Sequence, residues 1–251
     1  PENSAFYSTT VTKKQLMVQE EALAKKADLV FASAPGLVER LESYNPHTHF
    51  TPNVGDYEKF KDAKLLKELP ADLKTISKPV IGFTGALDEY KFDMSLFKEL
   101  AQNHPGYSFV LIGSLARKGK NATKELLGLG ALENVYLLGS RPYQIINHYF
   151  AGFDAFIIPY QLNDLTVGGC FPVKFHDALA AGLPVIVTDM PAYTLFRDVC
   201  YISKSYQEFG VNLERALQED SPQKIKARQE VAKNNNWDGK VASMLELIAS
   251  L

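Results

Sequence analysis

Residues 153–189 read FDAFIIPYQLNDLTVGGCFPVKFHDALAAGLPVIVTD, and this stretch decides the fold. Two short apolar runs within it, Ala155–Pro159 and Pro184–Thr188, have the length and β-branched content of strands buried on both faces. Between them, a polar loop leads into a segment with helical spacing. That segment opens near Pro172, a residue type favoured in the first turn of a helix. The order strand, helix, strand predicts a βαβ unit with its two strands parallel in one sheet.

The same alternation of apolar strands and amphipathic helices extends over most of the chain. The predicted strands are Asp28–Ala32, His49–Thr51, Pro79–Thr84, Ser108–Gly113, Val135–Gly139, Ala155–Pro159, Pro184–Thr188 and Cys200–Ile202. Helical spacing continues into the last segment, where Val241, Met244 and Ile248 recur after Asp238, a predicted N-cap. The predicted fold class is α/β, a doubly wound, mostly parallel Rossmann-like sheet.

Composition excludes several classes of protein. The 251 residues carry 29 acidic and 27 basic side chains, a formal charge of −2 with neutral histidines. This near-balance predicts no nucleic-acid partner, because such binders normally carry a basic excess. No run approaches the roughly 20 apolar residues that a membrane-spanning helix needs. Cys170 and Cys200 have no histidine at metal-ligand spacing, so the sequence predicts neither a metal site nor a cofactor.

The order of elements predicts four regions. Residues 1–51 offer a long helix near 11–27, one convincing strand and a second helix near 36–43. This is too little for a domain, so the region is predicted to be the tail of a preceding one. Residues 52–78 are charged and end in Lys-Pro, as linkers do. Residues 79–220 hold a complete set of strands for a Rossmann-like domain, and residues 221–251 form C-terminal helices. The start at Pro1 predicts a fragment of a longer protein.

Ligands of doubly wound sheets bind beyond the carboxyl ends of the strands. Gly85 follows the first strand of the predicted Rossmann-like domain, in the turn Gly82-Phe83-Thr84-Gly85, and is a candidate for close approach to a phosphate. The alternative is that Gly85 serves only the geometry of a tight turn. The dinucleotide fingerprint GxGxxG is absent, which argues against a nicotinamide-dependent oxidoreductase.

The richest candidate site lies in the loop and helix of the quoted stretch. Thr166, Gly168 and Gly169 precede the helix, whose first backbone N–H groups suit a phosphate. Lys174 adds positive charge in the first turn, and Asp177 follows after about one turn, so both can face one cleft. The alternative is an exposed Lys–Asp pair on an ordinary helix, which contributes little.

This stretch resembles the nucleotide-sugar site of GT-B-fold glycosyltransferases of the group-one, family-four-like type. The shared residues are Pro172, Lys174, Asp177, Leu179, Ala180, Gly182, Pro184 and Val185. Two further pieces agree in order, the segment Pro52–Asp56 with the interdomain Asn-Gly-Val-Asp of the family and Phe153–Pro159 with one of its C-terminal strands. The resemblance covers about residues 16–220 and implies the C-terminal, donor-binding half of a GT-B fold.

The resemblance also implies roles for individual residues. Asp177 would accept hydrogen bonds from the ribose, while Arg141 and Tyr143 follow the strand end where the family contacts the base. The chain departs from the family pattern at Gly169, where members often carry an acid. Among basic residues, Lys91, Arg117 and Lys118 follow strand ends without a clear diphosphate motif. No catalytic residue is assigned, and both retention and inversion of the sugar stay open. His176 is predicted to be a core or interface histidine rather than an acid–base partner of Asp177, because neighbouring helix residues diverge.

The resulting prediction is a glycosyltransferase that moves a sugar from a UDP- or GDP-linked donor to a glycan, lipid or other acceptor. Two alternatives stay open, a sugar-nucleotide epimerase of the same fold and a non-catalytic nucleotide-binding domain. The fragment is expected to be inactive without its N-terminal acceptor domain. Its helix near 11–27 is expected to pack on the helix near 241–251 or on a second copy, which would give a homodimer. The expected location is cytoplasmic, with peripheral contact to the inner membrane face left open.

Overall fold

The structure is a computed structural model that describes residues 12–115, 120–121, 123–125 and 127–251. The candidate residues Arg117 and Lys118, and Val11 at the start of the first predicted helix, lie outside these ranges. The strands are β1 Val30–Ala32, β2 Thr48–Phe50, β3 Val80–Thr84, β4 Ser108–Ile112, β5 Ser114–Leu115, β6 Lys120–Asn121, β7 Val135–Leu137, β8 Ala155–Ile158, β9 Val185–Thr188 and β10 Tyr201–Ser203.

The helices alternate with these strands along most of the chain. They are α1 Lys13–Lys26, α2 Pro35–Glu42, α3 Tyr57–Phe60, α4 Ala71–Lys74, α5 Met94–Asn103, α6 Ile146–Gly152, α7 Asp164–Gly169, α8 Val173–Ala180, α9 Tyr206–Gln218, α10 Pro222–Asn234 and α11 Trp237–Ala249. The described part of the chain also contains three 3-10 turns, at Ala63–Leu65, Tyr143–Ile145 and Pro191–Phe196.

The main sheet has six strands, all parallel, in the order β10-β9-β8-β3-β4-β7. The chain builds outward from β3 through β4 to β7, then returns to the other side of β3 and builds through β8 and β9 to β10. This reversal beside β3 is the topological switch point at which doubly wound sheets bind ligands. The predicted α/β, parallel, Rossmann-like fold is therefore confirmed.

The core of this sheet is aromatic and aliphatic. Strands β4, β8 and β9 are buried along their whole length, which explains why their sequences are apolar on both faces. Phe83, Phe92, Phe97 and Phe109 form a chain of ring contacts with centroids 4.8–5.7 Å apart. Such tilted and edge-on pairs add to the stability gained from burial.

Residues 12–51 form a smaller unit around β1 and β2, which pair in parallel. Helix α1 packs on α2, where Arg40 forms a two-pronged ion pair with Glu20, and Asn45 donates hydrogen bonds to the carbonyls of Ala24 and Ala27 at the end of α1. This contact differs from the predicted packing of α1 on the last helix, because these polar partners lie on α2 and the turn after it. A second copy as partner stays a prediction.

Three local predictions were wrong. The last helix is capped by Asn236, which accepts the N–H of Gly239 at 2.8 Å, and not by Asp238. Residues 161–171 are not an open loop, because Asn163 caps the short helix α7. Pro172 is the N-cap of α8 and not a residue of its first turn. The pair of strands β5 and β6 was not predicted.

Candidate functional site

A cleft of about 420 Å³ opens at the carboxyl ends of β3 and β4. Its lining residues come from α3, the ends of β3 and β4, the segment 140–150 after β7, and α8. They are Phe60, Thr84, Gly85, Ala86, Ile112, Gly113, Ser114, Ser140, Arg141, Tyr143, Ile146, Phe150, Val173, Lys174 and Asp177. The sequence-predicted residues Gly85, Arg141, Tyr143, Lys174 and Asp177 thus meet in one place. The other three, Thr166, Gly168 and Gly169, are not among the lining residues.

Two glycines make the floor of the cleft from bare backbone. Gly85 has φ +134° and Gly113 has φ +156°, conformations that residues with a side chain rarely adopt. A Cβ on Gly113 would lie 1.8 Å from the carbonyl oxygen of Gly85, and a Cβ on Gly85 would lie 2.1 Å from Nζ of Lys174. The glycines therefore let two loops touch and leave room for the lysine above them.

Lys174 extends from the first turn of α8 across this floor. Its Nζ lies 4.2 Å from the centroid of the Phe83 ring and 5.4 Å from that of Tyr160, so two aromatic faces support the ammonium. Within the described part of the chain, no carboxylate forms an ion pair with it. Burial, with a smaller contribution from nearby Lys91, lowers the pKa of Lys174 to about 7. An anion in the cleft would supply the missing partner.

Asp177 lies one turn further along α8 and is buried, with 6% of its surface exposed. Its Oδ1 accepts the backbone N–H of Asp56 at 3.0 Å. No described residue donates a hydrogen bond to its other oxygen, Oδ2. Burial raises the pKa of Asp177 to about 7, although the N–H of Asp56 opposes this shift by favouring the charged form. The carboxylate thus keeps one acceptor oxygen for a ligand.

The segment Asn53–Asp56, which we call the strap, was quoted for its family resemblance but not predicted as part of the site. It crosses the N-terminal turns of α8, and Gly55 approaches so closely that a Cβ there would lie 2.9 Å from both N and Oδ1 of Asp177. The missed signal was the glycine itself, because a buried glycine outside a turn often marks close backbone approach.

Arg141 and Tyr143 line the outer wall of the cleft. The Arg141 guanidinium donates to Asp72 at 2.6 Å and to the hydroxyl of Tyr149 at 2.7 Å. Tyr143 is 52% exposed and donates to the Asp56 carboxylate at 3.3 Å. Arg141 is therefore already paired, whereas the exposed ring of Tyr143 can stack on a flat ligand.

Thr166, Gly168 and Gly169 belong to α7. Thr166 is buried, and its hydroxyl donates a hydrogen bond to the carbonyl of Gln161. The same hydroxyl accepts the N–H of Asn163 at 3.0 Å. A Cβ on Gly36 of α2 would lie 2.5 Å from the carbonyl oxygen of Gly168, so this glycine allows α2 and α7 to meet. The contacts of Thr166 and Gly168 are thus internal, and their predicted role in nucleotide binding stays a prediction.

His176 is fully buried between the rings of Phe171 and Phe196, at centroid distances of 5.5 and 5.2 Å. Burial lowers its pKa to about 4, so it is neutral at physiological pH. This agrees with the prediction of a core histidine.

Among the described residues, no group of three His, Cys, Asp or Glu side chains is placed to hold a metal ion, and no helix has the length and apolar character to cross a membrane.

Comparison with known proteins identifies the class to which this fold and cleft belong. The family model "Glycosyl transferases group 1" matches residues 78–218, more than half of the chain. The chain belongs to this family of glycosyltransferases. A curated relative from Bacillus subtilis (strain 168), named "Putative teichuronic acid biosynthesis glycosyltransferase TuaH", is 26% identical over 235 residues.

The solved structures share the fold at low identity. A sucrose-phosphate synthase from Thermosynechococcus elongatus aligns with a TM-score of 0.72 and 18% identity, covering 96% of this chain and 62% of its own. HepE from Anabaena, solved in complex with UDP and glucose, gives the same score and identity over 96% of this chain and 68% of its own. The match to TuaH covers 90% of this chain but 58% of that protein, so the chain spans little more than half of its curated relative.

Proposed function

We propose that this chain binds the nucleotide-sugar donor of a glycosyltransferase, in the cleft at the carboxyl ends of β3 and β4. The observation that carries the proposal is the meeting of Gly85, Lys174 and Asp177 at the switch point of a parallel sheet. A bare backbone floor, an unpaired cation and a carboxylate with a free oxygen suit a phosphate, its charge and a ribose hydroxyl. Membership of the family supports sugar transfer as the reaction.

The chemistry of transfer explains why such a site is useful. A departing nucleoside diphosphate gains negative charge while the anomeric carbon becomes oxocarbenium-like. The N–H groups in the first turn of α8 and the ammonium of Lys174 would meet that charge where it develops, which is the most effective kind of transition-state stabilisation. Oδ2 of Asp177 would hold the ribose and fix the register of the donor on α8.

The partners follow from the relatives and stay within this proposal. HepE was solved with UDP, which favours a UDP-linked donor over a GDP-linked one. The name of TuaH supports an acceptor in polysaccharide biosynthesis. We propose Tyr143 as the stacking surface for the base. The predictions also include a cytoplasmic location, contact with a membrane face and a homodimer.

Binding measurements on the 251-residue chain test the proposal. UDP, GDP, ADP and dTDP are titrated calorimetrically, with inorganic pyrophosphate as the ligand that lacks a ribose. Asp177→Ala should weaken binding of the preferred nucleoside diphosphate by about 1–3 kcal/mol, the range for a hydrogen bond to a charged group. Binding of pyrophosphate should hardly change.

Other outcomes would favour the alternatives. An equal loss for both ligands would indicate a structural defect and remove the ribose assignment. Release of an isomerised sugar without an acceptor would identify an epimerase. Nucleotide binding without turnover, even after addition of the predicted N-terminal acceptor domain, would indicate a non-catalytic domain. The absence of an acid at Gly169 is the observation that supports this alternative.

A further inference from the structure

We infer that the strap, residues 53–56, positions the carboxylate of Asp177 for the ribose, so that Gly55 and Asp56 are positioning residues of the donor site. The inference rests on the proposed function, because it assumes that Asp177 holds the ribose. It adds that a segment more than a hundred positions away in the sequence sets the direction in which this carboxylate points.

The hydrogen bond from Asp56 gives the two carboxylate oxygens of Asp177 different roles. The N–H of Asp56 donates to Oδ1 at 3.0 Å. A carboxylate held at one oxygen keeps one rotamer, so the other oxygen presents its lone pairs in a fixed direction. Oδ2 receives no hydrogen bond from any described residue, and Asp177 lines the cleft. The strap therefore fixes Oδ2 as the ligand-facing acceptor.

Gly55 sets the distance between strap and helix. A Cβ on this residue would lie 2.8 Å from Cβ of His176 and 2.9 Å from the backbone nitrogen of Asp177. Neither atom can move without moving α8, since both sit at or next to the helix backbone. Glycine is thus required here for packing, and any larger residue has to push the strap away from Asp177.

Two further hydrogen bonds hold the strap, one from Asn53 and one from Gly55 itself. Nδ2 of Asn53 donates to the carbonyl of Phe171 at 2.9 Å, just before α8 begins. The N–H of Gly55 donates to the carbonyl of Asn235 at 3.4 Å, between α10 and α11. Because these anchors hold the strap in place, a small outward shift at Gly55 should lengthen the bond from Asp56 to Oδ1 without releasing the whole segment.

The experiment compares Gly55→Ala with Gly106→Ala, a matched control at a glycine where a Cβ would have nothing within 4 Å. Three ligands are titrated: UDP, 2′,3′-dideoxyuridine diphosphate and inorganic pyrophosphate. Gly55→Ala should weaken UDP binding roughly tenfold, the equivalent of one lost hydrogen bond to a charged group. The two ligands without ribose hydroxyls should bind as they do to the wild type, and Gly106→Ala should match the wild type throughout.

A double variant shows whether Gly55 acts through Asp177. In the Asp177→Ala background, Gly55→Ala should have no further effect on UDP binding, because the carboxylate that the strap orients is gone. Unchanged UDP binding in Gly55→Ala would overturn the inference. A wild type that binds UDP no better than its dideoxy analogue would instead overturn the ribose assignment, so the two failures are distinguishable.

A second pair of variants keeps the test decisive if Gly55→Ala does not fold. Asp56→Pro and Asp56→Ala both lose the Asp56 carboxylate, but only proline also removes the N–H that Oδ1 accepts. The inference expects UDP binding to be roughly tenfold weaker in Asp56→Pro than in Asp56→Ala, the effect of one such hydrogen bond. Equal UDP affinities of these two folded variants would overturn it.

Discussion

At the scale of single residues, the proposed donor site combines a cation and a carboxylate that are incompletely paired with described residues. Lys174 rests on aromatic rings, and Asp177 receives one backbone N–H. Both are partly or fully withdrawn from water, which disfavours their charged forms. A nucleoside diphosphate would supply an anion for the first and hydroxyl donors for the second. The site therefore lowers the stability of the free protein in order to bind its ligand.

The variant Asp177→Asn should show how far the buried carboxylate lowers the stability of the free protein. The pKa of Asp177 is raised from 3.8 to about 7. At pH values between these two, the native state keeps the proton on Asp177, whereas the unfolded state has lost it. Stability therefore falls as pH rises from about 4 to 7, since the native state binds more protons there. The amide carries no charge and can still accept the N–H of Asp56. The variant should be more stable than the wild type at pH 8 by at least about 1 kcal/mol.

Thermal or urea unfolding at several pH values measures this difference. The stability advantage of Asp177→Asn should grow between pH 4 and pH 7 and stay constant above it. A difference in unfolding free energy that does not depend on pH would show that ionisation of the Asp177 carboxylate does not cause it. The same variant should bind UDP more weakly, although it is more stable, which separates loss of function from loss of fold.

Lys174→Met tests the diphosphate contact, because methionine keeps most of the stem and removes the charge. Binding of UDP should weaken by about 1.5–3 kcal/mol, and uridine should bind as before. The loss should shrink at high salt, since the contact is partly Coulombic. Equal losses for UDP and uridine would show that Lys174 only supports the wall of the cleft.

The pH dependence of binding gives Lys174 a second signature. The pKa of Lys174 is lowered to about 7, so the free site loses its positive charge as pH rises above that value. UDP affinity of the wild type should therefore fall between pH 7.5 and 9, by up to about tenfold per pH unit. Lys174→Met should lack this dependence, and titration of UDP itself affects both proteins equally.

At the scale of elements, the sequence predicted the parallel sheet well and the site only in part. Strands such as β8 and β9 are buried on both faces, so their apolar runs identify them without knowledge of the partners. The helix α7 was missed because it is short, glycine-rich and defined by its Asn163 cap. The strap was missed for another reason: its contact with Asp177 spans 121 positions, and no local pattern encodes such pairing.

The contact between α2 and α7 explains the glycine at position 36 and leads to a prediction. Gly36→Ala should place a methyl group 2.5 Å from the carbonyl oxygen of Gly168 and destabilise the protein by about 1–3 kcal/mol, the range for overpacking. Gly168→Ala meets nothing within 4 Å and should leave unfolding unchanged. Chemical denaturation measures both.

Gly168→Ala also tests the role that the sequence assigned to Gly168 in nucleotide binding. If a phosphate approaches this glycine closely, the methyl group should weaken UDP binding. The contacts of the free protein favour the opposite result, because Gly168 is not among the residues that line the cleft. We expect UDP affinity within about twofold of the wild type, a change below the value of one hydrogen bond.

At the scale of the whole molecule, the proposed donor cleft lies in the six-stranded unit, and the described part of the other unit is much smaller. The cleft is lined by the ends of β3 and β4, by the segment 140–150 that follows β7, by α8 and by Phe60 of α3. The smaller unit pairs only β1 and β2, three residues each. A doubly wound domain that buries its own core needs roughly 100 residues or more. The chain spans 58% of the length of TuaH.

We therefore predict that this chain binds UDP but does not transfer sugar by itself. Transfer requires that donor and acceptor are held in contact, and this proximity lowers the barrier by up to about 7–11 kcal/mol. The cleft at β3 and β4 is proposed to hold the donor, and no acceptor site has been assigned among the described residues. The measurement pairs calorimetric binding of UDP with a transfer assay from UDP-glucose, first on the 251-residue chain and then with the predicted N-terminal acceptor domain added. Binding without transfer, followed by transfer on addition, is the expected result. Rapid transfer by the chain alone would mean that an acceptor site also lies within these 251 residues, and the apolar groove between α2 and Pro191–Phe196 would be the first place to look for it.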